Sequence, residues 1–187
     1  MRNKPKYSLS AGLILFLFLF NPQLNGQIKI KIIDKTVNFG MKITDNRSVS
    51  AIIIHSTYNN SGGEQYDIDL IIKQFKQYNV SSNYVIDRLG NIYLLVNEKN
   101  ISFHAGKSKL PDGKTAVNSC SIGIELMCSK VDSPTEEQLT SLISLVKDIQ
   151  NRYKIEYVLR HSDIAPERKT DPWNMNWVDF LQKLSNQ

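Results

Sequence analysis

Apolar residues recur along the chain with two different periods. Ala51–His55 (AIIIH) is a continuous apolar run, the pattern of a strand covered on both faces. Ser121–Met127 alternates instead. Ile122, Ile124 and Leu126, flanked by Cys120 and Cys128, face one way; Gly123, Glu125 and Met127 face the other. Asn83–Asp87 and Ile92–Val96 flank a turn at Gly90, which predicts a hairpin. Tyr157–Arg160 reads as another short strand, and Ile28–Lys35 with Val37–Ile43 as a hairpin or edge segment. Helical spacing appears in Ile68, Ile71, Ile72, Phe75 and Tyr78. It returns in Leu139, Leu142, Ile143, Val146, Ile149 and Tyr153, behind a capping box at Ser133–Glu136 with Pro134 at the first helical position. A last helix carries Trp177, Phe180, Leu181 and Leu184. Strands and helices mix without strict alternation. The expected class is α/β: a mixed central β-sheet flanked by helices, in a single domain.

The N-terminus follows neither period. Arg2, Lys4 and Lys6 precede the ten-residue apolar run Ala11–Phe20, too short to span a bilayer comfortably, and Gly26 closes a polar segment. Residues 1–26 read as a signal peptide and residues 27–187 as the mature domain, with its core at about 51–177. An exported chain, periplasmic or secreted, is expected, with no integral membrane segment after cleavage. Removing Arg2, Lys4 and Lys6 leaves 20 basic residues against 18 acidic, so the net charge of +5 falls to +2. That argues against a nucleic-acid partner, which calls for a clustered basic stripe. The 187 residues carry no internal repeat, and a monomer is expected.

Two cysteines flank the alternating strand. Eight extended residues span about 26 Å, and a disulfide needs Cα atoms within about 7 Å. Cys120 and Cys128 are therefore read as unpaired small apolar residues.

Candidate chemistry starts from only three histidines, His55, His104 and His161. His55 and His161 each end a strand, where α/β sheets build their sites. Asp171 follows His161 by ten residues, across a loop long enough to fold back. Two imidazoles and a carboxylate leave the fourth position of a zinc ion open, as catalytic zinc requires. Taken singly, each has a plainer reading: a histidine at a strand end is more often a hydrogen-bonded structural residue, and an aspartate before proline a turn residue. Glu125 is a carboxylate in an otherwise apolar strand, which is costly unless it is solvated, paired or near a metal. Lys169 stands two residues before Asp171, so on extended chain both point the same way. It is a candidate to stabilise an oxyanion or an ordinary loop lysine. Ser144–Lys147 matches Ser-x-x-Lys, but it sits inside a helix stripe and lacks partner motifs.

Four segments, IIIHST (Ile52–Thr57), FHAG (Phe103–Gly106), NSCSIGIEL (Asn118–Leu126) and HSDIAPERKTDPW (His161–Trp173), together resemble the zinc-dependent N-acetylmuramoyl-L-alanine amidases. That family includes anhydro-muramyl-peptide amidases, phage lysozyme-type amidases and peptidoglycan-recognition proteins. The resemblance runs from about Ala51 to Trp177. It implies hydrolysis of the amide between N-acetylmuramic acid and L-alanine in peptidoglycan or muropeptides, with Zn²⁺ held by His55, His161 and Asp171. It implies Glu125 as general base and Lys169 as the group that stabilises the tetrahedral intermediate. His104, Asn118 and Asn83 fall at substrate-binding positions. The chain departs from the family at Asn83, often histidine, at Ser82, where some members carry a catalytic tyrosine, and at Trp173-Asn174, where Gly-Pro is common. The alternative is a non-catalytic peptidoglycan-binding module of the same fold. Such members usually lose a zinc ligand, and here all three ligand positions are filled.

Overall fold

The computed structural model describes residues 30–186. The signal-peptide reading of residues 1–26 lies outside the described residues. No helix among the described residues is long and apolar enough to cross a membrane.

A six-stranded mixed sheet forms the centre. Its strands are β1 (Ile32–Asp34), β3 (Ala51–Thr57), β4 (Tyr84–Ile86), β5 (Ile92–Leu94), β7 (Ser121–Met127) and β8 (Tyr157–Arg160), in the order β1-β5-β4-β7-β3-β8. β4 and β5 form the expected antiparallel hairpin; every other neighbouring pair is parallel. The N-terminal segment is an edge and not a hairpin. β1 joins the large sheet beside β5, while β2 (Met41–Lys42) pairs with β6 (Ile101–Ser102) in a second, two-stranded sheet. The helices are α1 (Ile68–Gln77), α2 (Glu136–Arg152), α3 (His161–Ile164) and α4 (Trp177–Ser185).

The two faces of the sheet are built differently. Ile52 and Ile54 of β3, Ile122, Ile124 and Leu126 of β7, and Ile86 of β4 pack against Leu142, Leu145, Val146 and Ile149 of α2 and Phe180 of α4. The opposite face is shared. Val85 and Met127 pack on Ile71 and Phe75 of α1. Ala51 and Ile53 pack on Ala105, Leu110, Val117 and Ile164. Between those two patches the face is polar, and there the chain places its histidines. Both cysteines are free and buried. Cys120 closes a 3₁₀ turn, Val117–Cys120, and joins the second patch, so it does not share the α2 face with Ile122.

α2 starts two residues later than expected. Thr135 is the N-cap, and the capping box is Thr135 with Gln138, not Ser133 with Glu136. Gln138 wins because its amide does more than cap. Its Nε2 donates to the carbonyls of Ile86 and Met127, and its Oε1 accepts from Thr135 N–H. One buried side chain thus fastens the start of α2 to the ends of β4 and β7. Gln138→Ala takes its partner from the Ile86 carbonyl and from the Thr135 N–H, and leaves the Met127 carbonyl to Arg88 alone. It is expected to cost about 2–4 kcal/mol, from roughly 1–3 kcal/mol per buried unsatisfied group. The check is urea unfolding; a loss under 0.5 kcal/mol, the size of a surface substitution, overturns it.

Candidate metal centre and its cleft

Strand register assembles the site. β3 and β7 run parallel with His55 opposite Glu125, and β3 and β8 run parallel with Ile54 opposite Arg160. One step further along both chains brings His161, the first residue of α3, beside His55. Parallel partners point to the same face. Glu125, His55 and His161 therefore stand in a row across three adjacent strands, on the face away from α2.

Asp171 returns to that row on the loop after α3. Ser162 N–H donates to the Asp171 carbonyl, which ties the loop back onto α3. His55 Nδ1 and His161 Nδ1 are 2.8 Å apart. Asp171 Oδ2 lies 3.0 Å from His161 Nδ1 and 3.5 Å from His55 Nδ1. These three, with Glu125, are at most 9% exposed. Among the described residues His55, His161 and Asp171 form the one cluster whose donor atoms converge closely enough to hold a metal ion. Atoms bound to one tetrahedral zinc at about 2.1 Å sit roughly 3.4 Å apart. His161 Nε2 faces the Ala105 carbonyl at 3.4 Å, and a carbonyl only accepts. That leaves the lone pair of His161 on Nδ1, aimed at the cluster. The donor set fits a divalent cation.

Burial and charge set the protonation states. Burial lowers the His55 imidazole to about 4, although Asp171 opposes the shift. Burial alone raises the Asp171 carboxyl, but contact with the imidazoles of His161 and His55 outweighs it and holds Asp171 well below the usual carboxylate range. Glu125 goes the other way. Burial and then repulsion from Asp171 raise it to about 8, with Lys169 pulling it down. Its Oε2 is buried with no hydrogen-bond partner.

These residues line a cleft of about 460 Å³. Lys169 reaches it from the Asp171 loop, and Phe75 of α1, Tyr78 at the α1 C-cap and Phe103 also line it. His104 and Asn118 are also on the cleft. Asn118 Oδ1 accepts the backbone N–H groups of His104 and Ala105, so it shapes the wall. Both ring nitrogens of His104 are engaged inside the protein, with His55 and Ser121, which leaves ring carbons for a ligand.

Asn83 is corrected. It is fully buried away from the cleft lining; its Oδ1 accepts from Gly123 N–H and the Ser102 hydroxyl, and its Nδ2 donates to the Val96 carbonyl. Its amide is engaged in the sheets, so the structure does not bring it to the cleft with the other candidate site residues. Ser82 is likewise buried, its hydroxyl on the Tyr84 carbonyl. Tyr84 turns to the α2 face, where it donates to Glu98.

Three features of the site were missed in the sequence. Arg168 donates to the carbonyls of Ala105 and Lys107, stitching the Asp171 loop to the His104 loop. Ser121 receives His104. Gly123 lies under the His104 ring: a Cβ there would come within 2.5 Å of His104 Cγ. The glycine did leave a sign, since glycine inside a strand marks close approach of another group. Trp173, noted as a departure, is on the rim. Its backbone N–H donates to Ser56 Oγ, and its ring meets Tyr58 edge to face.

Comparison with known proteins adds the relatives. The family model described as N-acetylmuramoyl-L-alanine amidase matches residues 45–174. The N-acetylmuramoyl-L-alanine amidase AmiD of Escherichia coli K12 is 37% identical over 154 residues, covering 72% of this chain and 53% of AmiD. The 1,6-anhydro-N-acetylmuramyl-L-alanine amidase AmpD of Haemophilus influenzae is 36% identical over 112 residues, 58% of this chain and 60% of AmpD. The chain thus spans little more than half the length of these relatives. Among solved structures, a selenomethionine AmpD derivative superposes with a TM-score of 0.70 at 26% identity, covering 80% of this chain and 92% of that one. Escherichia coli AmiD in complex with anhydro-N-acetylmuramic acid-L-Ala-D-γ-Glu-L-Lys superposes at 0.62 with 32% identity, covering 72% and 57%.

Glu125 sets a pH dependence for the metal-free fold. Its carboxyl titrates near 4.5 when unfolded and at about 8 when folded. Between those values the folded state binds more protons, so this group's contribution to stability falls as pH rises through that window. Urea unfolding of the metal-free wild type and Glu125→Gln at pH 5 and pH 8.5 checks it. The variant is expected to gain on wild type at the higher pH; an equal difference at both pH values contradicts the assignment.

Proposed function

The chain belongs to the N-acetylmuramoyl-L-alanine amidase family, and on that premise we propose that it hydrolyses the amide joining N-acetylmuramic acid to L-alanine, with zinc held by His55, His161 and Asp171. The observation that carries the reading is the convergence of two imidazole nitrogens and a carboxylate oxygen within 3.5 Å, beside a buried, unpaired glutamate. Zinc, when bound, supplies a Lewis acid for the carbonyl and a water whose pKa is lowered to about 7.

Glu125 is the proton carrier. It takes a proton from the attacking water and returns it to the amide nitrogen as the C–N bond breaks, leaving a muramic acid carboxylate and a free L-alanine amine. Glu125 must be ionised for this. Asp171 is one cause of its raised pKa, so engaging the Asp171 charge with a cation relieves that repulsion and favours the carboxylate. Lys169, on the same cleft, brings positive charge to the carbonyl oxygen as it becomes an oxyanion. The cleft walls hold the glycopeptide and exclude bulk water. The basic n-region and short apolar run of residues 1–26 support export, which makes peptidoglycan or its released fragments the accessible substrate.

The test is digestion of intact peptidoglycan and of soluble muropeptides, with mass spectrometry for stem peptides bearing a new L-alanine amino terminus. They are expected to appear, to vanish with chelator and to return with zinc. His161→Ala abolishes release. Glu125→Gln keeps zinc and loses about 10²–10⁴-fold in kcat, the usual contribution of a general acid–base group. Zinc uptake without release from either substrate overturns the enzyme reading in favour of a binding module. Export is checked separately: amino-terminal sequencing of the mature protein is expected to begin at Gln27, and an intact Met1 contradicts cleavage.

A further inference from the structure

His104 is linked to His55 by a chain of hydrogen bonds whose direction is fixed. His55 Nε2 lies 2.9 Å from His104 Nδ1, and His104 Nε2 lies 3.1 Å from Ser121 Oγ. Ser121 Oγ lies 2.6 Å from the Val117 carbonyl oxygen. A carbonyl has lone pairs and no proton, so the Ser121 hydroxyl donates to it. The serine oxygen then accepts from His104 Nε2–H. Neutral His104 keeps its lone pair on Nδ1, which accepts from His55 Nε2–H. His55 is left with its own lone pair on Nδ1, the atom that faces His161 and Asp171. One backbone carbonyl, three links away, decides where the proton of His55 sits.

We propose that His104 is a positioning residue: with Ser121 and the Val117 carbonyl it locks His55 in the Nε2–H tautomer, and so presents Nδ1 as a ready electron-pair donor to a divalent cation. This rests on the reading that His55, His161 and Asp171 hold the metal. Which imidazole nitrogen binds a metal is set by the hydrogen bond the other makes. His161 meets that need with the Ala105 carbonyl directly. His55 lies on a central strand and reaches a carbonyl only through two side chains.

The surroundings hold the relay in place. Asn118 fixes the backbone at His104 and Ala105. Gly123 clears the space the ring occupies; an added Cβ would fall within 2.8 Å of three ring atoms. With both nitrogens committed, the ring is poorly suited to bind substrate polar groups, and orientation of His55 accounts for both contacts.

The test reads the tautomer and the metal, not turnover. Two-bond ¹H–¹⁵N NMR of the metal-free protein is expected to show His55 as the Nε2–H form. In His104→Ala it becomes a mixture, and zinc affinity, measured by competition with a chromophoric chelator, falls about 10–100-fold. His104→Asn offers an amide oxygen near the Nδ1 position and recovers most of the loss. Ser121→Ala, which leaves His104 in place, gives a smaller loss and covers the case in which His104→Ala does not fold. The relay is overturned if wild-type His55 is the Nδ1–H form. It is overturned too if His104→Ala, or Ser121→Ala in its place, leaves both tautomer and zinc affinity unchanged. Wild type that takes up no zinc overturns the metal reading and the relay together; tight zinc binding that ignores His104 overturns the relay alone.

Discussion

Register among three parallel strands is the constraint on which everything at this site rests. Side chains alternate between the faces of a strand, so a slip of one residue moves every group to the other side. A slip of β7 against β3 would turn Glu125 into the packing under α2 and bring Ile124 into the cleft. The core prevents this. Ile52, Ile54, Ile122, Ile124 and Leu126 have no exposed surface, and burying each such side chain is worth about 1.5–3 kcal/mol. The α2 face fixes the register, and the opposite face inherits its alignment of carboxylate and imidazoles.

The same burial acts on the titratable groups in opposite directions. It raises Glu125 and lowers His55, because in both it disfavours the charged form. Asp171 escapes because two imidazoles face it. The row therefore holds one ionised carboxylate, one carboxyl resisting ionisation and a neutral imidazole within a few ångströms. Local contacts alone would not keep such a set together; the sheet beneath it does.

Much of this was legible in the chain. The run Ala51–His55 and the alternation of Ser121–Met127 set both strands and their buried faces, and α1, α2 and α4 followed from apolar spacing. The candidate ligands were visible because the chain has only three histidines, two of them at strand ends. What escaped depended on partners distant in sequence. Asn83 looked like a groove residue, yet Ser102 and Gly123 engage its amide in the sheets. The start of α2 was misplaced because two capping boxes overlap there, and only contact with Ile86 and Met127 separates them. β1 and β2 seemed to belong to each other because they are close in sequence; their real partners are β5 and β6. The His104 relay needs three dimensions to be seen at all.

Arg168 bridges two loops more than sixty residues apart, through the carbonyls of Ala105 and Lys107. One of those loops carries His104; the other carries Lys169 and Asp171. These two hydrogen bonds restrain the loops against each other. A side of the cleft restrained in this way during folding costs a ligand less ordering on arrival. Fit on that side is to a restrained shape, and adjustment is left to side chains such as the exposed Tyr78.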